Sequence, residues 1–142
     1  LADAQRQALG PLIGDISQAS ITAITGITVT DADSAEAAGR ALVARGAQAA
    51  IITLGASGCL YVSATESWRA PAPVVTPVDT TGAGDCFLGS LAFFLARGAS
   101  LRDAATRAAA VAALSVQHPG TQTSYPRAAD LPAEWRLERS TI

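Results

Sequence analysis

Apolar residues occur along this chain in short continuous runs that alternate with longer stretches of helical spacing. The run AAIITLG at 49–55 is typical of a strand buried on both faces, because it does not alternate with polar residues. After a glycine turn at 55–58, CLYVSA at 59–64 predicts a second strand. Shorter extended pieces are expected near Trp68 and at 73–76.

Helix signals separate these strands. The stretch Asp33–Glu36 resembles a capping box, and the helix that it opens is expected to run to Arg45 and to stop at Gly46. Ser100 is a suitable N-cap for an alanine-rich helix over 101–117. The other expected elements are a helix over 2–9, a strand over 12–16, a short helix that turns at Gly26, and a helix over the apolar run 87–95.

Helices that alternate with buried strands indicate an α/β sandwich built around a largely parallel sheet. In such sheets, ligands bind beyond the carboxyl ends of the strands. The glycine loops at 55–58 and 82–84 both follow extended segments. We therefore expect both loops to face one crevice.

The string DTTGAGDCF at 79–87 places two carboxylates around a loop with almost no side chains. Gly82 and Gly84 fall at the start of the expected helix, where unpaired amides and the helix dipole attract anions. Glycine lets a large anion approach those amides closely, and Asp85 would stand beside it. An acid next to a bound anion indicates a catalytic role and not a role in packing. The alternative is a structural loop, with Asp85 as an ordinary first-turn acid and Asp79 as a turn acid.

Composition narrows the possible functions. The 142-residue chain is 49% hydrophobic and 15% charged, with a net charge of -2. It is too apolar to be disordered, and its small net charge gives no indication that it binds nucleic acid or an anionic membrane. No apolar stretch reaches the roughly eighteen residues of a membrane span. The absence of lysine excludes a Gly-Lys-Ser/Thr phosphate loop and Schiff-base chemistry. The absence of methionine predicts a fragment or a processed piece of a longer chain, and we favour a fragment.

Three other features have ordinary explanations. Cys59 and Cys86 lack metal-ligand spacing and are expected to be buried thiols in a reducing compartment. The pair at 82–84 is not a dinucleotide fingerprint, because Phe87 stands where that pattern requires a third glycine. His118, the single histidine, precedes a proline and is expected to be a solvated loop residue.

The longer string VDTTGAGDCFLGSLAFFLARG at 78–98 resembles the second signature of the ribokinase (PfkB) family of sugar kinases. IITLGASGCLYV at 51–62 resembles the nucleotide-binding strand, turn and strand of that family. AAAVAALSVQHPGTQTSYP at 108–126 resembles its helix and cation loop. The resemblance extends over roughly residues 12–126.

The resemblance implies transfer of the γ-phosphoryl group of ATP to a sugar hydroxyl, with the 5-hydroxyl of D-ribose as the leading interpretation. Asp85 aligns with the catalytic base, which also contacts the substrate, and the anion hole aligns with Gly82, Ala83 and Gly84. The nucleotide-binding positions implied are Gly84 and Asp85 together with Thr53, Leu54, Gly55, Ala56, Ser57, Gly58 and Ala109.

By the same resemblance, a monovalent cation, usually K⁺, binds at Asp79 with Thr81 beside it. The other positions of that site are Ser115, His118, Gly120 and Ser124, several of them through backbone oxygens. Mg²⁺ is implied as the partner of ATP. The family commonly has Asn-x-x-Glu where this chain has SQAS, with Ser17 and Ser20 at those two positions. Neither serine supplies a carboxylate, so the handling of Mg²⁺ is expected to differ.

The resemblance also implies a three-layer α/β/α sandwich with a mostly parallel sheet. Residues 1–130 would be its C-terminal nucleotide-binding and catalytic part, and 131–142 a polar tail. The sugar-gripping residues and the lid, through which a homodimer would form, belong to the N-terminal half of the family. We expect a cytoplasmic enzyme that binds ribose and ATP, and neither nucleic acid nor a membrane. The alternatives are another family member, a fructokinase or a nucleoside kinase, and a non-catalytic nucleotide-binding remnant.

Overall fold

The computed structural model describes residues 18–136, so the helix expected over 2–9 and the strand expected over 12–16 lie outside the described residues. The described chain forms two compact units, residues 18–54 with Cys59–Arg69, and Gly55–Gly58 with residues 70–136. In chain order the elements are α1 Gln18–Thr25, α2 Ala32–Ala44, β1 Ala49–Thr53, β2 Cys59–Ser63, β3 Ser67–Ala70, α3 Ala83–Ala96, α4 Leu101–Ser115 and α5 Ala133–Arg136.

The strands form one sheet in the order β1-β2-β3, and β1 pairs with β2 in the antiparallel direction from Ala49 opposite Ser63 to Thr53 opposite Cys59. The expected parallel sheet is therefore not confirmed for these strands. The reason is the short connection at 54–58, because parallel neighbours require a crossover of about a dozen residues or more. The expected extended piece at 73–76 is not a strand.

Helices α1 and α2 supply the core of the first unit. Helix α2 packs against β1 and β2. The core cluster consists of Ile21, Val29, Ala35, Ala38, Ile52, Leu60 and Val62. The small residues of α2 allow the helix to lie close to the strands, because Gly39 leaves space for the branched side chain of Val62.

The start of α2 differs from the expected capping box at Asp33. The N-cap is Asp31, whose carboxylate accepts the amide of Ser34 at 2.8 Å, while the hydroxyl of Ser34 accepts the amide of Asp31 at 3.0 Å. This reciprocal pair starts the helix before Asp33. Glu36 instead accepts hydrogen bonds from Arg40 at 2.6 Å and from Ser67 at 3.2 Å. The expected end of the helix is close to the observed C-cap, Arg45.

The second unit is built on the packing of α3 against α4. Helix α3 buries Cys86, Phe87, Leu91 and Phe94, and α4 buries mostly alanines together with Val111 and Ser115. The ring of Phe94 meets Trp135 of α5 edge to face, with 5.8 Å between the ring centroids. Part of the segment expected as a polar tail therefore folds onto this unit. None of the helices within 18–136 combines the length and the hydropathy needed to cross a bilayer.

The packing of α2 can be tested by substituting Gly39 in α2 and, as a comparison, Gly89 in α3. A Cβ at Gly39 would lie 2.8 Å from Cγ2 of Val62, whereas a Cβ at Gly89 in α3 would meet no heavy atom within 4 Å. We expect Gly39→Ala to destabilise the protein by about 1–3 kcal/mol, because β2 must move to admit the methyl group. Gly89→Ala should stabilise it by about 0.4–1 kcal/mol through the lost freedom of the unfolded chain. Urea denaturation measures both, and shifts of the same sign and size would contradict this account.

Candidate functional site

Helix α3 begins without a side-chain cap. In α2 and α4 the amide of the third residue is held by a side chain, since Asp31 accepts from Ser34 and Ser100 accepts from Asp103 at 3.1 Å. The N-cap of α3 is Gly82, which is in the left-handed conformation (φ 75°) and has no side chain to make such a hydrogen bond. A glycine is required here because other residues rarely adopt this conformation.

The open helix start has a defined set of amides. The amide of Ala83 donates to the carbonyl of Thr80 at 3.2 Å, and the amide of Cys86 donates to the carbonyl of Gly82 at 2.9 Å. Between them lie the amides of Gly84 and Asp85, which have no acceptor within the helix. With the positive end of the helix dipole, these amides form a site for an anion. The side chain of Asp85 is exposed in the same first turn, so a carboxylate stands beside the anion site.

Asp79 joins the turn before α3 to the loop after α4. Its Oδ1 accepts the amide of Thr81 at 2.9 Å, and its Oδ2 accepts the amide of Gly120 at 3.0 Å. Hydrogen bonds from the side chain and the amide of Thr81, followed by that of Gly120, hold the pKa of Asp79 below its ordinary value of 3.8. The amides of Val78 and Asp79 add to this link, because both donate to the carbonyl of Val116, at 2.7 and 3.1 Å.

The structure brings together only part of the predicted cation site by direct contact. Asp79, Thr81 and Gly120 are joined by the hydrogen bonds above. Ser115 and Ser124 are buried in the same region of the chain, but their hydroxyls donate elsewhere, to Ala112 and to Thr121. His118 is exposed, so the prediction of a solvated loop histidine is confirmed.

The donor set of Asp79 fits a monovalent cation better than a divalent one. The carboxylate has about four lone pairs and accepts the amides of Thr81 and Gly120 and a hydrogen bond from the Thr81 side chain, so about one lone pair is left to coordinate an ion. No three side chains of His, Cys, Asp or Glu converge anywhere within residues 18–136. A site with one carboxylate carries a single negative charge, which suits a monovalent ion better than a divalent one.

Sequence reasoning missed Tyr125. Its hydroxyl donates to the carbonyl of Gly82 at 3.0 Å, from the loop that also carries Gly120. Partial burial, followed by the negative charge of Asp85, raises the pKa of Tyr125, so its phenol keeps the proton that it donates. The one available signal was an aromatic residue within GTQTSYP, and nothing in the spacing connects that string with the glycine turn.

The predicted nucleotide loop is a tight turn. Gly55–Ser57 forms a short 3₁₀ helix, closed by the amide of Gly58 on the carbonyl of Gly55 at 3.1 Å. A Cβ at Gly58 would overlap the carbonyl of Ala70, and its φ of 84° also favours glycine. Thr53 ends β1, and residues 55–57 are exposed. That this loop and the 82–84 turn face one crevice stays a prediction.

Ala109 and the two cysteines are buried. The side chain of Ala109 is 4% exposed, and its assignment to the adenine pocket rests on the resemblance. Cys59 and Cys86 are buried thiols, as expected. Burial raises the pKa of Cys86, and hydrogen bonds with the side chains of Ser115 and Ser90 lower it by a smaller amount. The pKa is raised as a result, so this thiol is not activated.

A helix start opened by glycine, with an acid in its first turn, is suited to an enzyme that transfers an anionic group such as phosphoryl. The sequence model of the pfkB family carbohydrate kinases matches residues 16–128. The chain therefore belongs to the pfkB family of carbohydrate kinases.

Individual relatives agree with this family. Ribokinase of Mus musculus is 48% identical over 113 residues, which are 77% of this chain and 35% of the mouse protein. Deoxyribokinase of Salmonella typhi is 36% identical over 110 residues, or 78% of this chain and 36% of that protein. The chain thus spans about a third of the length of these relatives.

Solved structures show the same similarity. Ribokinase from Thermotoga maritima matches with a TM-score of 0.68 and 34% identity, over 77% of this chain and 35% of that one. The Arabidopsis thaliana ribokinase complexed with ribose and ATP matches with a TM-score of 0.69 and 28% identity, over 80% and 37%. Phosphofructokinase-2 from Escherichia coli in complex with potassium matches with a TM-score of 0.64 and 28% identity, over 78% and 38%. The fold is therefore of the ribokinase-like α/β type.

The lowered pKa of Asp79 predicts how stability depends on pH. A carboxyl group whose pKa is lower in the folded protein contributes stability above its unfolded pKa, and this contribution is lost as the pH falls through the folded value. The free energy of unfolding of the wild type should therefore fall more steeply from about pH 5 to about pH 2 than that of Asp79→Asn, which has no charge to lose. Denaturant titrations across this range measure the difference, and parallel curves would mean that the hydrogen bonds of Asp79 do not favour its charged form.

Proposed function

We propose that this chain is the nucleotide-binding and catalytic part of an ATP-dependent sugar kinase that phosphorylates D-ribose at O5. The observation that carries the proposal is the uncapped start of α3, with Gly82 in the left-handed conformation and Asp85 in the first turn. Membership of the pfkB family supports the reaction class. The similarity to the mouse ribokinase, and to the Arabidopsis ribokinase complexed with ribose and ATP, supports the two substrates.

In this mechanism Asp85 is the general base. Its carboxylate accepts the proton of the ribose 5-hydroxyl as that oxygen attacks the γ-phosphorus of ATP, and the bond from phosphorus to the β-phosphate oxygen breaks to release ADP. The open amides of Gly84 and Asp85 donate to the oxygens of the transferring group. Because these donors are fixed before the reaction, they stabilise the charge without reorganising.

The ATP itself is proposed to bind at Thr53–Gly58, with Ala109 near the adenine. The exposed 3₁₀ turn at 55–57 supports this role, since a tight glycine turn can present its backbone to a phosphate. Mg²⁺ bound to ATP would neutralise charge on its phosphates. No cluster of acids within residues 18–136 would hold this metal without the nucleotide.

A monovalent cation, K⁺ in our proposal, binds near Asp79. The lone pair left on the carboxylate supports this site, and its proposed oxygen donors are Thr81, Ser115, His118, Gly120 and Ser124. The complex of the E. coli phosphofructokinase-2 with potassium supports the choice of ion. The cation would offset the repulsion between Asp79 and the phosphate anion.

The second candidate is a pfkB-family kinase for a different acceptor. The deoxyribokinase of Salmonella typhi, at 36% identity, favours this alternative. It uses the same roles for Asp85 and the glycine turn and differs only in the residues that grip the sugar. Turnover of the full-length protein with ribose, deoxyribose, fructose and a nucleoside would separate the candidates. The cytoplasmic location and the homodimer stay predictions.

Asp85→Asn tests the base. In the full-length protein it should lower kcat by about 10²–10⁴-fold, because the amide cannot accept the hydroxyl proton, while the affinity for ATP changes little. Asp103→Asn is the matched control, since Asp103 is an exposed first-turn acid of α4. It should leave kcat unchanged. If Asp85→Asn keeps more than half of the wild-type kcat, Asp85 is not the base.

Potassium activation tests the cation site. At constant ionic strength, maintained with a bulky organic cation, the initial rate should rise with KCl and much less with NaCl or LiCl. The preference for a large ion is expected because the proposed donors other than Asp79 are neutral oxygens. Asp79→Ala should lose this response and retain a low rate that is independent of the cation. A flat response to KCl in the wild type would remove the cation from the proposal.

A further inference from the structure

The hydroxyl of Tyr125 acts on the peptide group at which the anion site begins. It donates to the carbonyl of Gly82 at 3.0 Å, and the same carbonyl accepts the amide of Cys86 at 2.9 Å, the first hydrogen bond of α3. A peptide group is planar, so the direction of the Gly82 carbonyl also fixes the direction of the Ala83 amide. Tyr125 therefore constrains the first peptide plane of the helix start.

The loop that carries Tyr125 lies directly against Gly82. A Cβ on Gly82 would be 2.9 Å from the hydroxyl oxygen of Tyr125 and 3.4 Å from Cβ of Thr121. The loop is itself held by the buried Ser124, whose amide and hydroxyl both donate to the carbonyl of Thr121, at 3.0 and 2.6 Å. The hydroxyl of Tyr125 is therefore presented from an ordered support.

The turn before α3 is attached to this loop at two points. Asp79 holds the loop through the amide of Gly120, and Tyr125 holds Gly82 from the other end of the loop. Between these two attachments lie residues 80 and 81 of the turn. Loss of either attachment would let the turn rotate and would redirect the amides that follow it.

We propose that Tyr125 is a positioning residue for phosphoryl transfer, whose hydroxyl fixes the Gly82 peptide and so aims the open amides of α3 at the transferring group. This inference rests on the function proposed above. The misplacement of a catalytic group by about 1 Å can lower a rate by about 100-fold. The hydroxyl of Tyr125 acts one peptide away from the donors, so a smaller loss is expected.

The test is Tyr125→Phe in the full-length protein, assayed with ribose and ATP. The ring is retained and only the hydrogen bond is lost, so kcat should fall by about 10-fold, while the KM values for both substrates and the melting temperature stay near those of the wild type. Tyr61→Phe is the matched control, because Tyr61 is the other tyrosine of the chain and stacks on Trp68 in the first unit. It should leave kcat unchanged.

A double-mutant cycle with Asp79→Asn tests whether the two attachments share one task. If they do, the double variant should be about as slow as the slower single variant, and not slower by the product of both effects. Multiplied effects would overturn the shared support. A wild-type kcat in Tyr125→Phe would overturn the positioning role and leave the proposed kinase in place. A wild-type protein that phosphorylates neither ribose nor another sugar would overturn both proposals.

Discussion

The carboxylate of Asp79 accepts two amides that are far apart in the sequence, and the candidate site depends on this interaction. Thr81 lies two residues away, whereas Gly120 lies 41 residues away at the far side of α4. A single side chain thus closes the local turn and attaches it to a distant loop. The position of that loop then determines where Tyr125 meets Gly82 and, through Gly82, how α3 starts. The charged form is favoured by these donors, which is why the pKa of Asp79 is lowered.

The sequence predicted best the features that depend on local chemistry. The strand ending at Thr53, the serine-capped start of α4 and the glycine start of α3 each follow from residues within one or two turns of chain, and each is present. The predicted N-cap of α2, Asp33, was wrong by two residues, because the observed N-cap is Asp31. Both Asp31 and Asp33 are residue types that cap helices. Ser34 favours Asp31, because its amide donates to the Asp31 carboxylate and its hydroxyl accepts the Asp31 amide.

The remaining features depend on interactions between distant parts of the chain. The sheet was expected to be parallel because helices and strands alternate, but the turn at 54–58 pairs β1 with β2 before any helix intervenes. The hydrogen bond from Tyr125 to Gly82 spans 43 residues, so no local pattern predicts it. The role assigned to Asp79 came from a resemblance, while its contacts with Thr81 and Gly120 required the structure. The chain spans about a third of the length of the mouse ribokinase and of the Salmonella deoxyribokinase, two relatives whose names differ in the sugar.

The missing cap of α3 affects the helix as well as the ligand. A helix loses stability at its first turn when nothing satisfies its free amides, and Gly82 adds the flexibility of glycine to that loss. A bound phosphate would donate no proton and would accept from these same amides, so the ligand itself would act as the N-cap. Binding of the anion and ordering of the first turn of α3 are then thermodynamically coupled. Any anion that binds there stabilises the folded helix in proportion to the logarithm of its concentration above its dissociation constant.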